Sequence, residues 1–235
     1  MSERYSQMIL SAIVYLNMQQ WKVIALSLIT SIACHGQGLG LLKYDGGGDW
    51  YANPSALENL AAFYQNVSGA KAYVHIDALE TSQVLSSGIS FLHVTGHGRI
   101  VFSEEQREAL RQFTERGGFI HFDDNYGMKA FIQKELPLLF PTAQLQTVAL
   151  SHPIFQVPFV FENGLPKIHE HDGQAPQNTG VFMDGELIAI FTFECDLGDG
   201  WEDEAVHNDS KEKREKALKM GANLVHWSIL RHAKS

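Results

Sequence analysis

The chain has 235 residues, 45% of them hydrophobic and 19% charged, a composition that excludes a disordered polymer and fits one domain or two small ones. A formal net charge of −9 argues against a nucleic-acid partner, because phosphate binding needs a basic face. The basic run Lys211 to Lys219 is interleaved with Glu212 and Glu215, the pattern of a solvated helix face.

The N-terminus reads as an export signal. Met18-Gln-Gln-Trp-Lys22 is a short positive region, and Val23 to Ala33 is an uncharged apolar core, too short to span a bilayer comfortably. Ser31-Ile-Ala33 offers small residues at the spacing signal peptidase needs, so the mature chain is expected to begin between Cys34 and Leu41, with Met18 rather than Met1 as the start. The alternatives are an uncleaved anchor that includes Met8 to Leu16, and a lipoprotein site at Cys34, although Ser31 sits where an aliphatic residue is usual. Residues 1–38 are thus an extension with a signal or anchor, and 39–235 a single domain. Membrane contact is expected only through that first segment. With Cys34 and Cys195 as the only cysteines, cleavage leaves no intrachain disulfide, and a zinc ribbon is excluded.

From Leu39 onward strand and helix patterns alternate. Leu39 to Tyr44 is a short strand, and Asn53-Pro-Ser55 opens a helix to about Asn66, with Asn53 or Ser55 as its cap. Ala72 to Ile76 and Ile89 to Thr95 are strands. Ser103-Glu-Glu-Gln106 is a capping-box start for a helix ending at Gly117-Gly118. Phe119 to Phe122 is a strand, Tyr126 to Phe140 a helix interrupted near Pro137, and Leu145 to Leu150 a fifth strand ending in Ser151-His152. Phe155 to Thr179 is a long excursion loop, of the kind that serves as a lid. Asp184-Gly185 between apolar runs signals a hairpin, Leu187 to Phe193 is a buried strand, and Lys211 to Arg231 a final helix. The alternation predicts a three-layer, flavodoxin-like α/β fold, with helices on both faces of a mostly parallel sheet and the strand C-termini along one ligand-binding edge.

The polar strand tips define a candidate site. Asp45-Gly-Gly-Gly-Asp-Trp-Tyr51 and Glu194-Cys-Asp-Leu-Gly-Asp-Gly-Trp-Glu-Asp203 both set carboxylates among glycine and tryptophan after an apolar run. Carboxylates packed this densely repel unless a cation, a hydroxyl- or amine-rich ligand, or water relieves them. His97, between Gly96 and Gly98, is a candidate general base, metal ligand or donor, or else a turn histidine pointing to water. Asp123 is expected to line the site, while Asp124 or Asn125 caps the next helix. Asp49, Trp50, Tyr51, Asp124, His152, Asp196, Asp199 and Trp201 are the expected ligand-binding residues, with Trp201 as a wall. His169 and His171, two apart in an extended segment, put both rings on one side and with Asp172 form half of a zinc or iron site, without a third ligand from spacing. Glu194 and Asp196 flank Cys195 and disfavour its thiolate. The two anions flanking Gly46-Gly47-Gly48 oppose phosphate binding.

Several of these motifs together resemble the bacterial family of domain of unknown function 4159. They are Lys43-Tyr-Asp-Gly-Gly-Gly-Asp-Trp-Tyr51, Thr95-Gly-His-Gly98, Phe102-Ser-Glu-Glu105, Gly117-Gly-Phe119, Asp123-Asp124, His152-Pro-Ile-Phe155, His171-Asp-Gly173, Asp196 to Asp203, and Lys213-Arg-Glu215 through Gly221-Ala-Asn223. This resemblance covers nearly everything after the signal and implies an exported or membrane-associated bacterial protein with no known reaction. Ser103 to Leu110, Gly117-Gly-Phe119 and His152-Pro-Ile154 more distantly resemble the trehalose-utilisation (ThuA-like) branch of the class I glutamine amidotransferase-like fold. That likeness implies the fold and a link to sugar metabolism. Relatives that hydrolyse glutamine place a cysteine at a strand–helix elbow, where this chain reads Phe122-Asp123-Asp124, so that activity is not carried over.

The leading expectation is an envelope or periplasmic domain that binds a small molecule, with carbohydrate the first class to test because Trp50, Tyr51 and Trp201 lie beside carboxylates. The alternatives are a hydrolase or isomerase in which His97 is the base and Asp123 orients it or holds a metal, and a partner-binding module of an envelope complex.

Overall fold

Among the described residues, seven strands form one sheet: β1 (Gln37–Leu41), β2 (Ala72–Val74), β3 (Phe91–Gly96), β4 (Phe119–Asp124), β5 (Gln144–Gln146), β6 (Gln177–Met183) and β7 (Glu186–Phe193), in the order β2-β1-β3-β4-β7-β6-β5. The computed structural model describes residues 37–75 and 77–234. The export segment expected over Val23 to Ala33, with Cys34 and the two candidate starts, lies outside them, as does Ile76. Residues from Gln37 onward cluster as one unit. Among the described residues no helix is long and apolar enough to cross a membrane.

β2, β1, β3, β4 and β7 run parallel, and β6 and β5 add antiparallel pairs at one side. Helices α1 (Ala56–Ser68), α5 (Leu197–Trp201) and α7 (Lys211–His232) pack together on one face. Helices α2 (Thr81–Val84), α3 (Glu104–Glu115) and α4 (Lys129–Leu139) cover the other, and the short α6 (Glu204–His207) joins α5 to α7. This is the expected mostly parallel sheet in a layered, flavodoxin-like α/β fold. From β1 the chain goes out to β2 and crosses back to β3, so order reverses beside β1, where open sheets of this kind bind ligands.

Strand alternation sorts the side chains. Leu92, Val94, Ile120, Phe122, Phe191 and Phe193 pack with Leu110, Phe113, Ile132 and Leu136 in the core under α3 and α4, each burial contributing about 1.5–3 kcal/mol. The intervening positions His93, Thr95, His121, Asp123 and Thr192 face the α1/α5/α7 layer. The Ser103 capping box forms, with Gln106 N donating to Ser103 Oγ at 3.3 Å and Ser103 N to Gln106 Oε1 at 2.8 Å. The Asp184-Gly185 turn joins β6 to β7 with positive φ at both residues.

Three local expectations are corrected. Helix α4 runs through Pro137 to Leu139, because a proline in the last turn removes a single amide donor and Phe140 N still closes on Leu136 O at 2.9 Å. Ser55 occupies the N-cap of α1 without making a side-chain cap bond, and its hydroxyl donates to Glu202 Oε1 at 3.0 Å. The fifth strand is only Gln144–Gln146, paired with β6, and Leu150 lies in a turn rather than at a strand tip.

Candidate functional site

At the carboxyl ends of β3, β4 and β7, Thr95 pairs with Asp123 and Asp123 with Thr192 in register. A polar line therefore runs across an otherwise apolar sheet. His93 Nδ1 lies 3.1 Å from His121 Nδ1, His121 Nε2 lies 2.9 Å from Thr192 Oγ1, and Thr192 donates to Asp123 Oδ1 at 2.6 Å. With Thr192 spending its proton on Asp123, His121 carries hydrogen on Nε2 and accepts from His93 Nδ1–H. His93 Nε2 is left buried without a partner. Both rings are neutral: burial lowers the His93 pKa to about 3, and burial and then the neighbouring His93 push His121 well down. Burial raises the Asp123 carboxyl to about 7, against hydrogen bonds from Thr192 and Gly198 N and with further push from Asp196 and Asp199.

Above this line sits a second set. Asn53, from the loop before α1, and Asn125, after β4, donate through Nδ2 to Asp199 Oδ1 at 2.7 and 3.1 Å. Asn125 also donates to Asn53 Oδ1 at 2.6 Å, and Thr95 Oγ1 to the same oxygen at 2.9 Å. The excursion loop then brings His169 between carboxylates, Nδ1 at 2.9 Å from Asp199 Oδ2 and Nε2 at 2.8 Å from Asp209 Oδ2. Asp196 Oδ2 is hydrogen-bonded to His171 Nε2 and lies 3.6 Å from His169 Nδ1, so the two rings of the H-x-H pair reach one oxygen. The carboxylates of Asp196 and then Asp199, as acceptors beside its ring, raise the His169 pKa to about 10. Burial pushes Asp199 up, but hydrogen bonds from His169 and Asn53 and the charge of His207 hold it below its usual value.

Next to His171 a cavity of about 350 Å³ opens at the ends of β4 and β7, lined by Asp124, Tyr126, Gly127, Lys129, Ala130, Gln133, His171, Asp172 and Glu194. Asp124 starts α4, accepting from Tyr126 N, Met128 N and Lys129 N at 3.1, 2.7 and 3.2 Å. Tyr126 has φ 115, a conformation that strains a residue with a side chain by about 1–3 kcal/mol. Its ring stacks on His171 at 4.6 Å, and its hydroxyl donates to Asp172 at 3.3 Å. Glu194, also at positive φ, is buried between Lys129 Nζ at 3.7 Å and Lys167 Nζ at 3.8 Å, and its Oε2 lacks a hydrogen bond.

The expected residues divide. Asp196 and Asp199 meet in the carboxylate cluster, Asp123 lies beneath it, and Asp124 both caps α4 and lines the cavity. His97 does not bond to Asp123: its amide and its Nδ1 go to Asp49, the ring 3.0 Å from Oδ2. Trp50 and Tyr51 contact edge to face beside this pair, with Trp50 packed on the core and Tyr51 exposed. Trp201 is not a wall. It is fully buried, its rings lie 5.1 and 5.6 Å from His93 and His121, and its Nε1 donates to Ala217 O at 2.8 Å. His152 is also elsewhere: past Val148 the chain turns and sets its ring against Trp227 and Phe182, both beside Leu187 near the start of β7. Burial, then Asp123 and Asp196, pushes the Cys195 thiol well up, so it is inert as a nucleophile.

Asn53, Thr192, His207 and Asp209 join the site without a site signal in the sequence, whereas Glu194 stands in the second acidic loop. The signal for part of the site was present, because polar residues two apart in a buried strand (His93 and Thr95, His121 and Asp123) share one face. A comparison with curated proteins finds no match. The family described as domain of unknown function (DUF4159) matches residues 38–229, which take in all seven strands except the first residue of β1 and all the site residues above, and the chain belongs to that family.

Proposed function

We propose that this chain is an exported bacterial envelope domain that binds a hydroxyl-rich small molecule, of the carbohydrate class, in the cavity between α4 and the excursion loop. The observation that carries this reading is the cavity's lining, in which the acceptors Asp124, Asp172 and Glu194 alternate with the donors Lys129 and Gln133 around the half-exposed Tyr126 ring. A sugar offers each hydroxyl as donor and acceptor and lays its apolar face on an aromatic ring, so it answers all three features. Glu194 stands in the cavity wall, paired with Lys129 and Lys167, as the acceptor for a ligand hydroxyl. The likeness to ThuA-like proteins supports the same class. The stacking surface is then Tyr126, in place of the buried Trp201.

Calorimetry with a panel of neutral, acidic and amino mono- and disaccharides tests this. At least one sugar should bind saturably, and Glu194→Gln should weaken it about tenfold, the loss of one charge-assisted hydrogen bond. A panel that gives no binding, or a Glu194→Gln variant that binds as tightly as the parent, would sink the proposal.

A second reading, a hydrolase or isomerase, is favoured by the half-exposed His97 with Asp49 on its Nδ1, the arrangement of an oriented general base. Under that reading a bound sugar is converted to product, and His97→Ala stops conversion without weakening binding. Unchanged sugar after prolonged incubation with the parent protein would exclude it.

A further inference from the structure

The excursion loop, α5 and α6 bring together a set of donors that the cavity does not use. His169, Asp199 and His207 each offer one ligand atom, and the three atoms lie within 4.8 Å of one another. We propose that they bind one divalent transition-metal cation, zinc being the ion to test, with Asp196 as a further ligand.

Each group already has the support a metal ligand needs. His169 turns Nδ1 toward Asp199 and holds its other nitrogen on Asp209 Oδ2 at 2.8 Å, the outer carboxylate that usually fixes a metal-bound imidazole. Asp199 is oriented through Oδ1 by the amides of Asn53 and Asn125. His207 Nε2 stands 3.7 Å from Asp199 Oδ1. Ligand atoms about 2.1 Å from zinc at a tetrahedral angle lie about 3.4 Å apart, so closure needs the exposed His207, on the short α6, to move by roughly 1 Å.

A second observation points to a cation independently of this spacing. Asp196 is fully buried, and its Oδ1 has no hydrogen-bond partner, while its Oδ2 sits 3.6 Å from His169 Nδ1. A buried carboxylate short of donors is costly, and a cation held by Asp196 offsets its charge. The metal also relieves the repulsion among Asp196, Asp199 and Asp209, which share the single His169 ring. Two imidazoles with carboxylates suit zinc, iron or manganese better than calcium or magnesium, which take oxygen ligands. With Asp196 the centre has four protein ligands, which fill a tetrahedral zinc, the stoichiometry of a structural rather than a catalytic centre. His171, on Asp196 and in the cavity wall, joins this centre to the proposed sugar site.

The full chain, stripped with chelator and titrated with zinc chloride in a calorimeter, should bind one equivalent. His207→Ala and Asp209→Asn should each weaken binding at least about tenfold, and His75→Ala, beside the edge strand β2, should not. His207 is exposed, so His207→Ala keeps the test readable if Asp209→Asn fails to fold. Absence of stoichiometric zinc binding, or binding that His207→Ala leaves unchanged or that His75→Ala weakens, overturns the site. Sugar binding by chelated protein is read in the same instrument, so failure of the metal site and failure of the sugar site are separate results.

Discussion

At the scale of single residues, three buried titratable groups set a pH signature. His93 and His121 are neutral when folded and protonate near 6.5 when unfolded, so the unfolded state binds more protons below that pH and each ring makes stability fall as pH drops. Asp123 acts with the opposite sign. Its folded pKa of about 7 lies above the unfolded carboxylate value of about 4, so its contribution is complete below pH 4 and is lost as pH rises toward 7. Each group alone gives a slope of about 1.4 kcal/mol per pH unit. Of these three, two rings oppose one acid and leave stability rising by about one such slope between pH 4 and 6.5, while burial of Asp124 works against the rise and burial of His152 and His226 adds to it. Melting temperatures measured across that range should climb, and Asp123→Asn should make the climb about twice as steep. A flat or falling profile in the parent would show that the rings are not held neutral. The strand alternation of these residues was visible in the chain. Their burial, which produces every one of these shifts, was not.

At the scale of elements, the two glycine/tryptophan loops look alike in sequence and do different work. In the first, Asp49 turns to His97 and Tyr51 to solvent. In the second, the loop winds into α5 and drives Trp201 under the site, against His93 and His121. Gly221 of α7 admits it, since a Cβ there would lie 2.6 Å from Leu60 Cδ1 and 2.8 Å from Trp201. Trp201 thus fills the space between sheet and α7. Trp201→Phe should cost on the order of 2 kcal/mol, from lost packing and the lost bond to Ala217 O. Sugar affinity should hold within about twofold, because the side chain does not reach the cavity. Denaturant unfolding and calorimetry of the same variant check both, and a collapse of affinity without loss of stability would restore Trp201 as a binding wall. Both tryptophans occupy the same local pattern, and only the helix packed behind the second decides its role.

At the scale of the whole molecule, the start of the folded unit constrains processing. β1 begins at Gln37 and pairs with both β2 and β3, so a cut within it would remove backbone bonds from the middle of the sheet. If the chain is exported by cleavage, the mature N-terminus falls between Cys34 and Gln37, the early part of the window read from Ser31-Ile-Ala33. N-terminal sequencing of protein from the native host checks this, and intact Met1 or Met18 in the soluble fraction would contradict it.

The sequence by itself determined the layered α/β class, because hydrophobic period, caps and turn residues are local and repeat along the chain. It also located the acidic tips of β4 and β7, since polar residues after a buried strand mark its end. Only the tertiary structure decided which tips meet. Asn53 and Asp199 are 146 residues apart yet hydrogen-bonded, and His169, His207 and Asp209 come from segments whose local pattern carries no periodic signal. Their meeting depends on where the excursion loop crosses the sheet edge, and that is set by Ile168 N bonding to Cys195 O and by burial of Ile168. These contacts are long-range and depend on packing, so no spacing within one segment could announce them.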